Sequence, residues 1–206
     1  VAHHDKLDDI EAGKGKIKMS DKEIRARLDA FEVREENDEP IRVSGYAAVF
    51  GEETSIGGYF TEVIERGAFK DAIGRDDVVF VINHEGLPLA RTRSGTLRLT
   101  EDDHGLYMET ELDPTDPDVQ SIVPKMKRGD LDKMSFAFIP TRQEWDDSGD
   151  MPRRTIQEAQ LFDVSIVTTP AYDGTEIGLR SLEAHRSLKV KSQAARRLRM
   201  KVQFNG

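Results

Sequence analysis

The sequence predicts an α+β fold that is mainly β, an antiparallel sheet or barrel with a few helices. Between Pro40 and Tyr172 the chain is divided into short segments of alternating apolar and polar residues with turn-forming residues between them, the texture of antiparallel strands. Within that region GAFKDAI and the stretch after Asp116 break the alternation with helical spacing. The chain's 206 residues, 37% hydrophobic, suffice for one core of ordinary size. The flanks differ in texture, so the organisation read here is a leader or pro-segment with a short helix over 1–39, a central domain over 40–179 and a basic tail over 180–206.

Residues 1–19 are polar, carry glycines and lack an apolar period, so His3 and His4 are not treated as functional. A helix is expected from Ser20, because Glu23 falls where a capping box wants it and Ile24, Leu28 and Phe31 share one helical face. IRVSGYAAVF from Ile41 reads as a strand, GAFKDAI as a short helix, and VVFVINH as a buried strand ending at His84. TLRLT and GLYMETEL flank EDDHG as a hairpin, with Gly105 expected to take the unusual backbone angle. A helix should follow from Asp116 as cap and Pro117 in its first turn, with Val119, Ile122, Val123 and Met126 as its apolar stripe, Pro124 as a kink and Gly129 as its stop. KMSFAFIP and AQLFDVSIVTTP read as the last strands, and EWDDSGDMP between them as an exposed loop.

Composition removes several function classes. Without cysteine there is no disulfide framework, thiolate zinc site or thiol nucleophile, so a nucleophile must be an oxygen or an amine. No apolar run approaches the roughly 18 residues of a membrane span, and no secretory signal is visible, so a soluble intracellular protein with no membrane partner is expected. The net charge of −9 is unevenly spread: residues 180–206 hold eight Lys or Arg against Glu183, while the rest holds 22 basic and 38 acidic residues. An acidic body disfavours nucleic acid as its main partner, whereas the +7 tail suits an acidic surface or nucleic acid.

Three strand-like segments each carry one chemically capable polar residue in an apolar run: His84, Ser135 in KMSFAF, and Asp163 in LFDVSIV. Together they supply a base, a hydroxyl and a carboxylate, the parts of a serine-hydrolase triad. Strand alternation puts Met134, Phe136 and Phe138 on one face and Ser135 with Ala137 on the other, leaving room beside the hydroxyl for an extended substrate. An imidazole where a buried strand meets a turn suits a general base, and Asp163, flanked by Leu161, Phe162 and Val164, would fix its tautomer. Taken singly, each residue is explained as readily by a structural hydrogen bond. Glu158 is the alternative acid, and His104, among Asp102, Asp103 and Gly105, is assigned a structural role. A metal site from His84, Glu85 and Asp102 or Asp103 lacks any compact ligand motif such as HExxH.

Five blocks, GYAAVFGE at 45–52, RGAFKDAI from Arg66, INHEGLPLARTRSGTLRL from Ile82, RGDLDKMSFAF from Arg128 and LFDVSIVTTPAY from Leu161, resemble in content and order the tailed-bacteriophage prohead protease family. The resemblance covers about residues 41–172. It implies a serine endopeptidase that cleaves the major capsid protein, scaffold and itself inside the immature capsid in the bacterial cytoplasm, related to the herpesvirus assembly proteases, whose fold is an antiparallel β-barrel surrounded by helices. Carried over by motif, the family's histidine, serine and acid fall on His84, Ser135 and Asp163; no cofactor is implied, and a homo-oligomer is compatible. Lys133 departs from the family's usual small residue and Ala137 from its glycine. Arg91 and Arg93 are candidate oxyanion donors, and the tail a candidate targeting segment. Two alternatives are a non-catalytic capsid-internal scaffold or binding module with the same fold, favoured by a wide separation of His84 and Ser135, and an esterase, for which the G-x-S-x-G elbow is missing at Ser135.

Overall fold

The computed structural model describes residues 22–26, 31–34, 40–168 and 175–204. Its centre is a long hairpin of β10 (Lys133–Asp146) and β11 (Arg153–Val167), antiparallel along its length. On the free side of β10 lies β1 (Glu23–Ala26). The outer side of β11 takes two partners in succession, β5 (Phe60–Ile64) against Arg153–Ile156 and β6 (Val79–Ile82) against Asp163–Ile166, both parallel to it. β4 (Thr54–Ile56) extends the sheet beyond β5, and β7 (Glu85–Arg91) extends it beyond β6. A second sheet, in the order β2 (Glu32–Arg34), β3 (Ile41–Val49), β9 (Gly105–Leu112), β8 (Leu97–Glu101), packs across it.

The architecture is therefore mainly β with few helices, as expected, but the strands form two sheets, one mixed, with no closed barrel among the described residues. Parallel pairs need crossovers rather than hairpins, and α1 (Lys70–Arg75) lies in the connection between β5 and β6. The core between the sheets is built on Phe69, Phe80, Phe136 and Phe138, with Met108, Met134, Val164 and Ile166 around them. Phe136 stacks on Phe138 at 4.9 Å and meets Phe69 edge-on at 5.6 Å.

Individual elements follow their sequence logic. In α2 (Pro117–Lys127) the Asp116 side chain accepts a hydrogen bond from Asp118 N, Pro117 opens the first turn, Val119, Val123 and Met126 are buried, and Gly129 beyond its end has φ 83°. The β8–β9 hairpin forms, but Gly105 serves a different purpose from the one expected. It does not adopt positive φ; a Cβ there would sit 2.0 Å from the Ala48 carbonyl oxygen, so it is the close approach of β3 that requires glycine.

Two other expectations are corrected. Glu23–Ala26 is a strand, not part of a helix, because its edge completes the sheet at β10 and its charged side chains find buried partners; Ser20 and Leu28 lie outside the described residues. Glu144, Trp145 and Asp146 belong to β10 rather than a loop, with Trp145 packed edge-on against Phe60 at 5.0 Å. α3 (Thr175–Phe204) includes most of the basic tail, and Gln143 with Ser181 and Asp147 with Lys189 join its first half to the β10–β11 hairpin.

Candidate active site

Ser135 sits near the start of β10, opposite Ser165 of β11, on the face that also carries Ala137 and Asp163. The alternation that puts Met134, Phe136 and Phe138 into the core turns Ser135 away from it. β11 needs a correction to do the same. Leu161 pairs with Phe138 and Asp163 with Ala137, so β11 has one extra residue, Phe162, at this point. This bulge lets Leu161 face the core while Asp163, two residues on, faces the site.

His84 comes from the β6–β7 connection. Ile82 pairs with Glu85, making Asn83 and His84 a two-residue hairpin loop, with φ 51° and 62°. Positive φ at both positions is the geometry whose twist suits a tight hairpin, and asparagine and histidine tolerate it better than most side chains. Asn83 N donates to Ile166 O and Asn83 Oδ1 accepts from Thr168 N, tying the loop to β11 and fixing where the imidazole enters.

The three side chains meet in one file. His84 Nδ1 lies 2.5 Å from Asp163 Oδ1, and Nε2 lies 2.7 Å from Ser135 Oγ. The ionised carboxylate can only accept, so Nδ1 carries the proton and Nε2 is left to accept from the serine hydroxyl. Ser165, which sequence reasoning did not select, donates from Oγ to Asp163 Oδ1 at 3.0 Å and lies 3.2 Å from His84 Nδ1. Its signal was period-two spacing from Asp163 in LFDVSIV.

Asp163 Oδ2 accepts from Lys22 Nζ at 2.8 Å. Burial pushes the Asp163 carboxyl up, but the bonds from His84 and Lys22 outweigh it and hold the group below the usual aspartate range. The carboxylate is thus charged near neutral pH and able to stabilise an imidazolium. The imidazole side chain itself is only 7% exposed. Ser135 and Ala137 are fully buried; the space beside the hydroxyl is occupied by β1, with Ala26 opposite Ser135 and Ile24 opposite Ala137.

Other candidates lie elsewhere. Glu158 pairs with Arg142 at 3.0 Å, and Arg91 and Arg93 are both committed to Asp77 on the surface. Asp102 accepts from Tyr46 Oη, Asp103 from Arg66, and His104 packs edge-on to Tyr46 at 4.5 Å. Lys133 pairs with Asp132.

The sequence pattern of the caudovirus prohead serine proteases matches residues 29–188, which include all three members of the file. The chain belongs to this family. It is 32% identical over 133 residues to the prohead protease of Enterobacteria phage HK97, an alignment covering 62% of this chain and 54% of that protein, so the chain spans about half the length of that curated relative. Among solved structures it is similar to the bacteriophage T4 capsid assembly protease, with a TM-score of 0.49 and 9% identity over 72% of this chain and 98% of that one.

Proposed function

We propose that this chain is a serine endopeptidase acting in prohead maturation, with Ser135 as nucleophile, His84 as general base and acid, and Asp163 as the group that orients and charges His84. The observation that carries the proposal is the unbroken Asp163, His84, Ser135 file, with contacts of 2.5 and 2.7 Å. Nucleophile, base and orienting acid within hydrogen-bond reach are the geometric requirement for activating a hydroxyl. Separation of His84 from Ser135 would have favoured a non-catalytic binding module; their contact speaks against it.

In this mechanism Ser135 Oγ adds to a peptide carbonyl carbon as its proton passes to His84 Nε2. Asp163 stabilises the imidazolium, which returns the proton to the leaving nitrogen as the C–N bond breaks. Water, deprotonated by His84, then hydrolyses the acyl ester. The substrates proposed are the major capsid protein, scaffold and the chain itself, inside the immature capsid. Residues 40–179 would form the protease domain, 1–39 a removable leader and 180–206 a targeting segment. Tail deletion that left co-packaging with capsid protein unchanged would refute the targeting role.

The test is intact-mass spectrometry of wild-type and Ser135→Ala protein, each co-expressed with the capsid protein of the same genome. Fragments of either chain that appear only with the wild type support the proposal. Identical masses in both would overturn it.

A further inference from the structure

β1 is a strand laid along β10 at the nucleophile. Its Arg25 carbonyl oxygen accepts from Ser135 Oγ at 2.9 Å, so it and His84 Nε2 are alternative acceptors for the one hydroxyl proton, and Ala26 is the register partner of Ser135. Of the peptide bonds in β1, the Arg25–Ala26 bond is therefore the one presented to the hydroxyl. An extended peptide added to a sheet edge, its backbone held by ladder bonds and alternate side chains in pockets, is a general mode of peptide recognition.

The alternate side chains of β1 are unusual. Glu23 and Arg25 point to the side of Phe136 and Phe138, and both are buried. Arg25 Nε and Nη2 donate to the two oxygens of Glu62 at 2.7 and 2.9 Å, and its guanidinium lies 5.5 Å from the Phe138 ring centre. The Glu23 carboxylate takes two bonds from Arg154, each 2.8 Å, and a third from Arg25. Arg154 is fully buried, contacts Glu62 at 3.0 Å, donates to Gln143 and lies over the Trp145 ring. Glu62 and Arg154 belong to β5 and β11, so half of this four-charge cluster is supplied by the body and half by a strand that precedes the family match.

We infer that β1 occupies the substrate strand of this site, that Arg25–Ala26 is a bond the chain cleaves, and that Glu62 and Arg154 select substrates carrying Arg immediately before the cut and Glu two residues earlier. The inference rests on the protease reading above. Ser135 Oγ adds to the Arg25 carbonyl carbon while its proton moves to His84 Nε2. The Arg25–Ala26 C–N bond breaks as His84 protonates the Ala26 nitrogen, and water completes the reaction, leaving a carboxylate on Arg25, a free amine on Ala26 and the serine proton restored. Selection follows from burial. A substrate lacking the arginine leaves Glu62 short of a partner in a dry pocket, and one lacking the glutamate does the same to Arg154, which is how a site built around buried hydrogen bonds rejects analogues.

The experiment has two parts. Intact-mass analysis of the full chain should show a Ser135-dependent cut between Arg25 and Ala26, absent in Ser135→Ala. The wild-type chain is then given a peptide of the sequence of residues 21–28 and its Arg25→Gln and Glu23→Gln counterparts; each replacement should lower kcat/KM on the order of 100-fold. In Glu62→Gln protein the preference for arginine over glutamine before the cut should shrink at least tenfold, a ratio that does not depend on how much of the variant is folded. Ser135-dependent cleavage elsewhere with Arg25–Ala26 intact, or equal hydrolysis of the three peptides, would overturn this inference and leave the protease reading standing. No Ser135-dependent cleavage of chain, peptide or capsid protein would overturn both.

Discussion

Replacing Asp163 with Asn changes a carboxylate into an amide of nearly the same shape, and the surroundings dictate which way that amide turns. Asp163 Oδ2 faces the Lys22 ammonium, a donor with no accepting capacity, while Oδ1 faces His84 and Ser165. In Asp163→Asn the remaining oxygen therefore stays on Lys22 and the NH₂ group faces His84 Nδ1. That forces the proton onto Nε2, which then donates to Ser135 Oγ instead of accepting from it, and the negative charge that steadied the imidazolium is also gone. Loss of tautomer and charge together is expected to lower kcat about 10⁴-fold, equivalent to about 5.5 kcal/mol of barrier. The assay is the rate of Ser135-dependent hydrolysis of the chain or co-expressed capsid protein, followed by intact mass, with thermal unfolding as the check on folding. For self-cleavage, adding Lys22→Met frees the amide to turn and should recover part of the rate. A folded Asp163→Asn protein within tenfold of wild type would refute the reasoning.

Three further outcomes are expected. Gly105→Ala drives a Cβ to 2.0 Å from the Ala48 carbonyl and should cost about 3 kcal/mol, read as a fall of about 10 °C in melting temperature; an unchanged Tm would contradict the close β3–β9 approach. Phe136→Ala opens the core beneath Ser135 and should destabilise the chain by about 3–5 kcal/mol in denaturant unfolding. Docking of β1 should weaken on acidification. Burial raises the Glu23 carboxyl, but its bonds to Arg154 and Arg25 outweigh that and hold it below the usual glutamate range, with Glu62 the other charge facing the cluster. Its contribution is complete above the ordinary glutamate value and is lost as pH falls through the depressed folded one. Hydrogen exchange at β1 amides should accelerate in that window before exchange in the β10–β11 pairs, and β1 protection that persists as long as theirs would count against it.

The candidate site was largely legible because its chemistry stands out locally: a polar residue in an apolar strand has few uses, and the order of His84, Ser135 and Asp163 fits one of them. What joins these residues was not legible. The Phe162 bulge that lets Leu161 and Asp163 face opposite ways appears only when β10 is laid beside β11. The parallel pairings of β5 and β6 with β11 join residues 92 and 84 positions apart, as in Thr61 with Arg153 and Val79 with Asp163, and no local pattern announces them. β1 misled for the same reason. Ile24, Leu28 and Phe31 fit a helical face, but Glu23 and Arg25 answer to Arg154 and Glu62, 131 and 37 residues away, and those pairings decide the backbone. Gly105 is required by the approach of the Ala48 carbonyl rather than by its own backbone angle, and backbone approach cannot be seen from one strand alone.

The central claim, that His84 activates Ser135 as a nucleophile, is tested most directly by covalent trapping. A preparation that hydrolyses capsid protein is treated with a fluorophosphonate and mapped by tandem mass spectrometry. The account predicts an adduct on Ser135, formed far more slowly in folded His84→Ala protein and accompanied by loss of hydrolysis. Hydrolysis that continues with Ser135 unmodified, or modification at the same rate without His84, would contradict it.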